Sequence, residues 1–365
     1  MASQPTFTDE DIEKLVCPLE LNLRLMIRDV APARPSAIRR VAPTSSLGQL
    51  EILPPELLLL ILDQLDFQSL SRLSRACFRG KAVVESLPAY EEMIEHAPDT
   101  LAALGKTHLL RYHSASLVRQ ALRSGKCVSC FDFGAFLFLP TCERVCFECL
   151  YENYGLRVIP LSAARKCFHL TDKQLRRISI MRSIPGTYSV LFYHTRRRVR
   201  RLVCVREAKR LAIQIHGSAE NVAKFAPEII PRRFTTRPQF RESLLFKRYH
   251  AVPLEPPGCD MSRLPEGGGS GVEDCWGGVA SIRFPWLTET GAEGGRVCRG
   301  CEVTYKLYRR SMLPATVLSR LVSPVSDSRR PLWAMVNRLR SSQEFLDHVK
   351  GCYGARHLLL GQYDL

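Results

Sequence analysis

Four cysteines are the first residues in this chain whose type and spacing suggest chemistry. Cys127-Val128-Ser129-Cys130 and Cys146-Phe147-Glu148-Cys149 are separated by residues 131–145, a C-x2-C-x15-C-x2-C pattern. Each tight turn offers two thiolates, and one returning loop brings the pairs round a tetrahedral zinc ion at about 2.3 Å per Zn–S bond. Protein fills all four positions, so such a site is structural and leaves no place for catalytic water. Four unrelated core cysteines are the bland alternative, because isolated Cys is commonly buried. Cys142, Cys167 and His169 are the competing ligands nearby. The apolar insert Phe131, Phe133, Phe136, Leu137, Phe138 and Leu139 is expected to pack as a small core against the site.

A second set lies downstream: Cys298-Arg299-Gly300-Cys301, and His348 with Cys352 in an H-x3-C arrangement. Ser341 and Glu344 form a capping-box pattern for a short helix, which puts His348 and Cys352, four residues apart, on one face. This predicts a second closed zinc site, against the alternatives of unpaired thiols or replacement of a ligand by Cys259 or Cys275. The sequence offers no phosphate loop, G-x-G-x-x-G, nucleophile elbow or H-E-x-x-H. A redox role for the CxxC pairs would need a thioredoxin-like setting, and a RING arrangement would need eight interleaved ligands. No intrinsic catalysis is expected.

Basic charge is the other chemical feature. Residues 165–210 hold 14 Lys/Arg against only Asp172 and Glu207, so they carry +12 of the chain's net +16. Arg196, Arg197, Arg198, Arg200 and Arg201 form its densest run, with the form of a basic import signal. The patch suits nucleic acid, an acidic protein surface or an import receptor, or is simply a solvated face.

These residues need elements to hold them. With 365 residues, 45% of them hydrophobic, the chain is long enough for two or three domains with cores. Its 14 cysteines are too few for a disulfide scaffold. The longest apolar run, Leu57–Leu62, is too short to span a bilayer, and residues 1–30 lack the pattern of a secretory signal. The expectation is a protein of the cytoplasm or nucleus without membrane attachment.

Residues 1–48 suggest a helix near 9–28 and then a Pro-rich linker. Pro54-Pro55 opens a helix through Leu62 that is apolar almost all round, and a second helix covers Phe67–Phe78. The first needs cover on two sides; helices that follow supply one, and a partner protein is the natural cover for the other. Helical patterns over Val83–Ile94 and Thr107–Leu122 lead to Gly125, a candidate C-cap. Thr171–Gln174 is a capping box whose helix should run to Pro185-Gly186. Tyr188–His194 and Val199–Val205 suggest a hairpin, followed by a helix from Glu207 to Gly217. Residues 258–300 hold 11 of the 22 glycines and suggest a loop with a short strand near Val279–Phe284.

Leu53-Pro54-Pro55-Glu56, the run to Leu65, Leu70, and Leu73-Ser74-Arg75-Ala76-Cys77-Phe78 resemble the F-box, with Phe78 where many members carry Trp. The resemblance implies a three-helix module over 49–92 that docks on the Skp adaptor of a cullin-RING (SCF-type) ubiquitin ligase. Leu53, Pro54, Ile61, Leu65, Leu70 and Leu73 would be its contacting or supporting positions. Beyond it, Lys126-Cys127, Arg144 through Leu150, Leu170-Thr171, Ile184-Pro185-Gly186, Cys298–Cys301 and Phe345 through Cys352 are similar to the layout of fungal F-box-domain proteins. That layout strengthens the second zinc site. The expected fold is mainly α with a small α+β part: the three-helix F-box, then a zinc-stabilised helical and hairpin domain over 93–355. That domain would include a Gly-rich loop at 258–297 and recruit an unknown target. Residues 1–48 would form a flexible lead and 356–365 a tail. The rival expectation is a basic zinc-containing protein of nucleic acid or chromatin, or an interaction scaffold.

Overall fold

The structure, a computed structural model, describes residues 7–17, 27, 30–31, 45–188, 194–229, 232–255, 276–322 and 329–361. The described residues are mainly helical, with five small sheets among them.

The first helix, α1 (Asp9–Leu15), has a Thr8–Asp11 capping box, and residues 18–26 and 28 of the helix predicted near 9–28 lie outside the described residues. Val16 leaves it extended to bridge Cys298, and the Cys17 N–H donates to the Val297 carbonyl. Five helices follow: α2 (Pro55–Asp63), α3 (Phe67–Ala76), α4 (Phe78–Glu85), α5 (Pro88–His96) and α6 (Pro98–Lys106). Pro55, Pro88 and Pro98 begin their helices, where a missing N–H costs nothing. The helix predicted over Val83–Ile94 is therefore two, broken before Pro88, and α6 is an addition. A further helix, α7 (Ala115–Arg123), is capped by Ser114.

Next come β1 (Phe136–Phe138), β2 (Glu143–Val145), α8 (Phe147–Glu152), β3 (Val158–Pro160), α9 (Leu161–Phe168) and α10 (Asp172–Leu175). The Thr171–Gln174 capping box is present, but α10 ends after four residues because β4 (Ile180–Arg182) takes over. Strands β5 (Gly186–Tyr188) and β6 (His194–Arg196) form a two-stranded sheet, and β7 (Arg201–Cys204) lies between β3 and β4. The predicted hairpin is thus corrected: β6 pairs back on β5, while β7 pairs antiparallel with Val158–Pro160 and Ile180–Arg182. The buried row Leu202–Cys204 explains the choice, since it must sit inside a sheet covered by helices.

Helix α11 (Val205–His216) ends at Gly217, whose φ of 88° makes the expected left-handed C-cap. Then follow α12 (Ala219–Ala223), α13 (Arg237–Ala251), β8 (Ser281–Arg283), β9 (Trp286–Leu287), β10 (Ala292–Glu293) and β11 (Arg296–Val297). The short strand expected near 279–284 is β8, which joins β1 and β2 in one sheet. The chain closes with α14 (Arg299–Arg309), α15 (Ala315–Leu321), α16 (Arg329–Asn337), β12 (Leu339–Arg340), α17 (Ser342–Gly351) and α18 (Tyr353–Leu359).

Three hydrophobic clusters fill the interior. The largest runs without a break from Leu58, Leu62 and Leu70 through α5–α7 to the β1–β2–β8 sheet and the first cysteine quartet. A second lies under α9, α11 and α13. The third joins Leu15 of α1 to Cys298, Cys301, Phe345 and Cys352.

Candidate functional site

The first quartet is assembled by two different local devices. Cys127 and Cys130 lie in the turn after α7, where the Cys127 N–H donates to the Asp132 carbonyl and the Phe131 N–H to the Cys127 carbonyl. Cys146 caps α8, its sulfur accepting from the Cys149 N–H at 3.3 Å, and Cys149 sits in the first turn of that helix. The β1–β2 hairpin between them is the returning loop. The ligand atoms of Cys127, Cys130, Cys146 and Cys149 all lie within 4.8 Å of one another, and the Cys130 and Cys146 sulfurs are 3.6 Å apart. A tetrahedron with 2.3 Å bonds has edges of about 3.8 Å. All four thiols are buried and none is in a disulfide. Hydrogen bonds from the Cys130, Cys146 and Cys149 thiols hold the Cys127 thiol far below its ordinary range. Without a cation, the Cys146 thiol is pushed well up by Cys127, Cys130 and Cys149. One dication relieves this conflict by making every sulfur a thiolate.

The second quartet is Cys298, Cys301, His348 and Cys352, again with ligand atoms within 4.8 Å. The Cys298 and Cys352 sulfurs are 3.8 Å apart, and Cys301 Sγ lies 3.1 Å from His348 Nε2. The Ser341–Glu344 capping box starts α17, which presents His348, while Cys352 stands at the junction with α18. Gly300 is needed for closure: a Cβ there would lie 2.2 Å from the Ala355 nitrogen, and one on Gly354 would lie 1.9 Å from the Gly300 carbonyl oxygen. The two glycines let α14 and α18 touch backbone to backbone.

Among the described residues, the competing ligands join neither quartet. Cys142 is in the main core, its thiol pushed up to about 12 by burial. Cys167 is in the second cluster, and His169 ends α9 in the left-handed region and stacks on Phe225. Cys259 and Cys275 lie outside the described residues. Of the apolar insert, Phe133 and Phe136–Leu139 are buried as expected; Phe131 is 52% exposed, turned out by its φ of 63° as it closes the CxxC turn.

Two arginines that sequence reasoning did not single out complete the first site. Arg144 is buried and donates to five backbone carbonyls: Ala121, Leu122, Gly134, Phe284 and Pro285. Two of these end α7, so Arg144 does the work predicted for Gly125. Gly125 instead lies against the Trp286 ring, where a Cβ would come within 2.9 Å. Arg338 pairs with Asp132 and approaches Glu148 at 3.7 Å, placing a cation beside a site whose four thiolates exceed the charge of one dication.

The third feature is the outer face of α2. Leu58 and Leu62 are buried, whereas Leu57, Leu60 and Ile61 are 49%, 64% and 49% exposed. Of the positions implied by the resemblance, Pro54 and Ile61 are exposed, Leu53, Leu65 and Leu73 half-buried, and Leu70 is fully buried. Residues 50–90 match the family model of the F-box domain. The chain carries an F-box domain. No curated protein and no solved structure matches the chain. The three helices α2, α3 and α4 lie within this F-box, and Asp66 caps the second of them. Downstream, Arg197, Arg198, Arg200 and Arg201 are exposed, while Arg196 lies over the Trp276 ring at 4.4 Å. Among the described residues no helix is long and apolar enough to cross a membrane.

Proposed function

We propose that the protein is a substrate-receptor subunit of a cullin-RING ubiquitin ligase, acting in the cytoplasm or nucleus. The F-box binds the Skp adaptor through the outer face of α2, and residues 93–355, held by two structural zinc ions, present the target. The chain's own residues bind and orient, and transfer of ubiquitin follows from proximity arranged by other subunits. The observation carrying this reading is the F-box match together with the row Leu57, Leu60 and Ile61, apolar side chains that water solvates poorly and that a partner would cover.

Co-expression with the Skp adaptor tests it. A 1:1 complex should form and be lost in Leu60→Lys plus Ile61→Lys, which alters exposed positions and should change stability by under about 0.5 kcal/mol. Leu70→Ala, in contrast, empties a buried site and should cost about 2–5 kcal/mol. Adaptor binding undiminished in the double Lys variant would refute the proposal. The rival reading, a basic zinc protein of nucleic acid, is favoured only by the exposed arginines and would show as binding that weakens steeply with salt.

A further inference from the structure

Residues 165–248 contain 21 Lys/Arg and 5 Asp/Glu, a net +16. The other 281 residues balance at 31 of each sign, so this one segment carries the whole net charge of the chain. Part of that charge is neutralised internally, by Arg165 with Asp172, Lys166 with Glu242, Arg206 with Glu143 and Arg210 with Glu207. Among the described residues, no carboxylate pairs with Arg182, Arg197, Arg198, Arg200 or Arg201, and all five are exposed.

Register makes two of them a site. Arg182 of β4 stands directly opposite Arg201 of β7. Opposed residues of an antiparallel pair project from the same face with Cβ atoms about 4.5–5.5 Å apart, and like charges placed so repel. The neighbouring pair, Met181 opposite Leu202, is fully buried on the other face, so the backbone that carries the two arginines is fixed. The adjoining turn is pinned by a reciprocal contact: the Ser183 N–H donates to the Arg200 carbonyl, and the Arg200 N–H donates to Ser183 Oγ. Two exposed arginines rooted opposite each other, with no carboxylate paired to either among the described residues, match a group with several anionic oxygens.

We propose that the Arg182–Arg201 pair, flanked by Arg197, Arg198 and Arg200, is the target-docking surface, and that it takes an acidic peptide segment whose phosphoryl or carboxylate group sits between the two guanidiniums. This rests on the reading of the chain as a receptor for a protein target. A peptide is favoured over a nucleic acid because the proposed function calls for a protein target and the described rings beside these arginines are engaged: Tyr188 is buried with its hydroxyl donating to the Ile184 carbonyl, and Trp276 lies under Arg196, while the exposed ring of the basic segment, Phe234, lies under Arg233. Single-stranded nucleic acid is held by a basic groove combined with free stacking rings.

The test uses the full chain against three degenerate peptide libraries that differ at one fixed position, phosphoserine, Glu or Ser, with a duplex DNA and a single-stranded RNA of similar charge. Retention of the phosphoserine or the Glu library at least tenfold over the Ser library is expected, and the stronger of the two names the anion's source. Arg182→Gln plus Arg201→Gln should abolish that preference without lowering the melting temperature, because the substitution removes a repulsion. Equal retention of all three libraries, or a preference that survives the double variant, overturns the proposal. So does DNA or RNA binding tenfold tighter than any peptide and lost in the same variant. Adaptor binding is measured on the same samples and should be unchanged by Arg182→Gln plus Arg201→Gln. Its absence from the unaltered chain would sink the ligase reading and leave the peptide result standing.

Discussion

Replacing Arg144 by Met removes a buried cation and keeps a side chain of similar length. Its guanidinium makes five hydrogen bonds of 2.5–3.3 Å to backbone carbonyls, and no carboxylate shares the site. Hydrogen bonds from a charged donor contribute about 1.5–3 kcal/mol each, so the five together supply roughly 7–15 kcal/mol. Burial opposes them: it pushes the guanidinium down from 12.5 to about 9, a penalty of about 5 kcal/mol at about 1.36 kcal/mol per pH unit. Arginine still keeps its proton at any physiological pH. The balance favours the native residue by about 2–10 kcal/mol, and because losses above about 4–5 kcal/mol are exceptional for one substitution, the expected loss is roughly 3–5 kcal/mol. At about 2–4 °C per kcal/mol for a unit of this size, the melting temperature should fall by about 6–20 °C. Calorimetry with parallel zinc analysis is the assay, since Arg144 lies two residues before Cys146 and its backbone carbonyl accepts from Val128 between the first two ligands. Arg144→Lys should recover only part of the loss, because one ammonium cannot span five diverging acceptors. A Met variant melting within about 2 °C of the parent would refute the reasoning.

Three further outcomes follow from the same geometry. Cys146→Ser plus Cys149→Ser should reduce bound zinc from two ions per chain to one by elemental analysis, and should expose the β1–β2 hairpin to protease; two ions retained would discard the ligand assignment. Gly354→Ala forces a methyl group against the Gly300 carbonyl and should empty only the second site, read as one zinc lost with the first ion still resistant to chelator. His113 is buried with its Nε2–H donating to the Leu139 carbonyl, and burial lowers its pKa from 6.5. Below about pH 6.5 the unfolded chain therefore binds a proton that the folded chain refuses, and stability should fall with pH by at most about 1.4 kcal/mol per unit. His113→Gln should flatten that acid limb in denaturant titrations, and an unchanged slope would show that other groups set it.

How much of this was legible in the sequence depended on whether the determining interaction was local. The Cys-x2-Cys pairs, the Thr171 and Ser341 capping boxes, the Pro55 helix start and the Gly217 stop are local patterns, and the structure contains them, whereas the second quartet joins its halves across residues 302–347 and was legible from motif type rather than from spacing. The hairpin failed because period-2 alternation marks a strand without naming its partner: Arg201–Cys204 is claimed by β3, more than forty residues earlier in the chain. Gly125 failed for the same reason, since the cap that serves α7 arrives from Arg144, 23 residues beyond Ala121. Gly300 was visible as part of a Cys-x-Gly-Cys motif. Its purpose, admitting the backbone of α18, needed the fold.

The proposed zinc ions would also serve a chain whose helices are many but whose sheets are small. Its strands are two to four residues long, in sheets of two or three, and such sheets are marginal on their own in water. A structural zinc contributes on the order of 10–16 kcal/mol in isolated fingers, comparable to the whole stability of an ordinary domain. The first quartet lies in the same continuous core as α2 and α3, and Asp66, which caps α3, bridges Ser114, which caps α7, the helix leading to Cys127. Ala115 N–H also donates to the Leu65 carbonyl at the end of the F-box's first helix segment. The region of the first cysteine quartet is thus joined to the F-box through packed side chains and caps. In the proposed receptor, which would work by proximity, this matters more than the added stability, because a target held on a rigid arm keeps its distance from the conjugating enzyme. A glycine-rich insertion between Arg123 and Lys126 should therefore leave adaptor binding intact while slowing ubiquitin transfer.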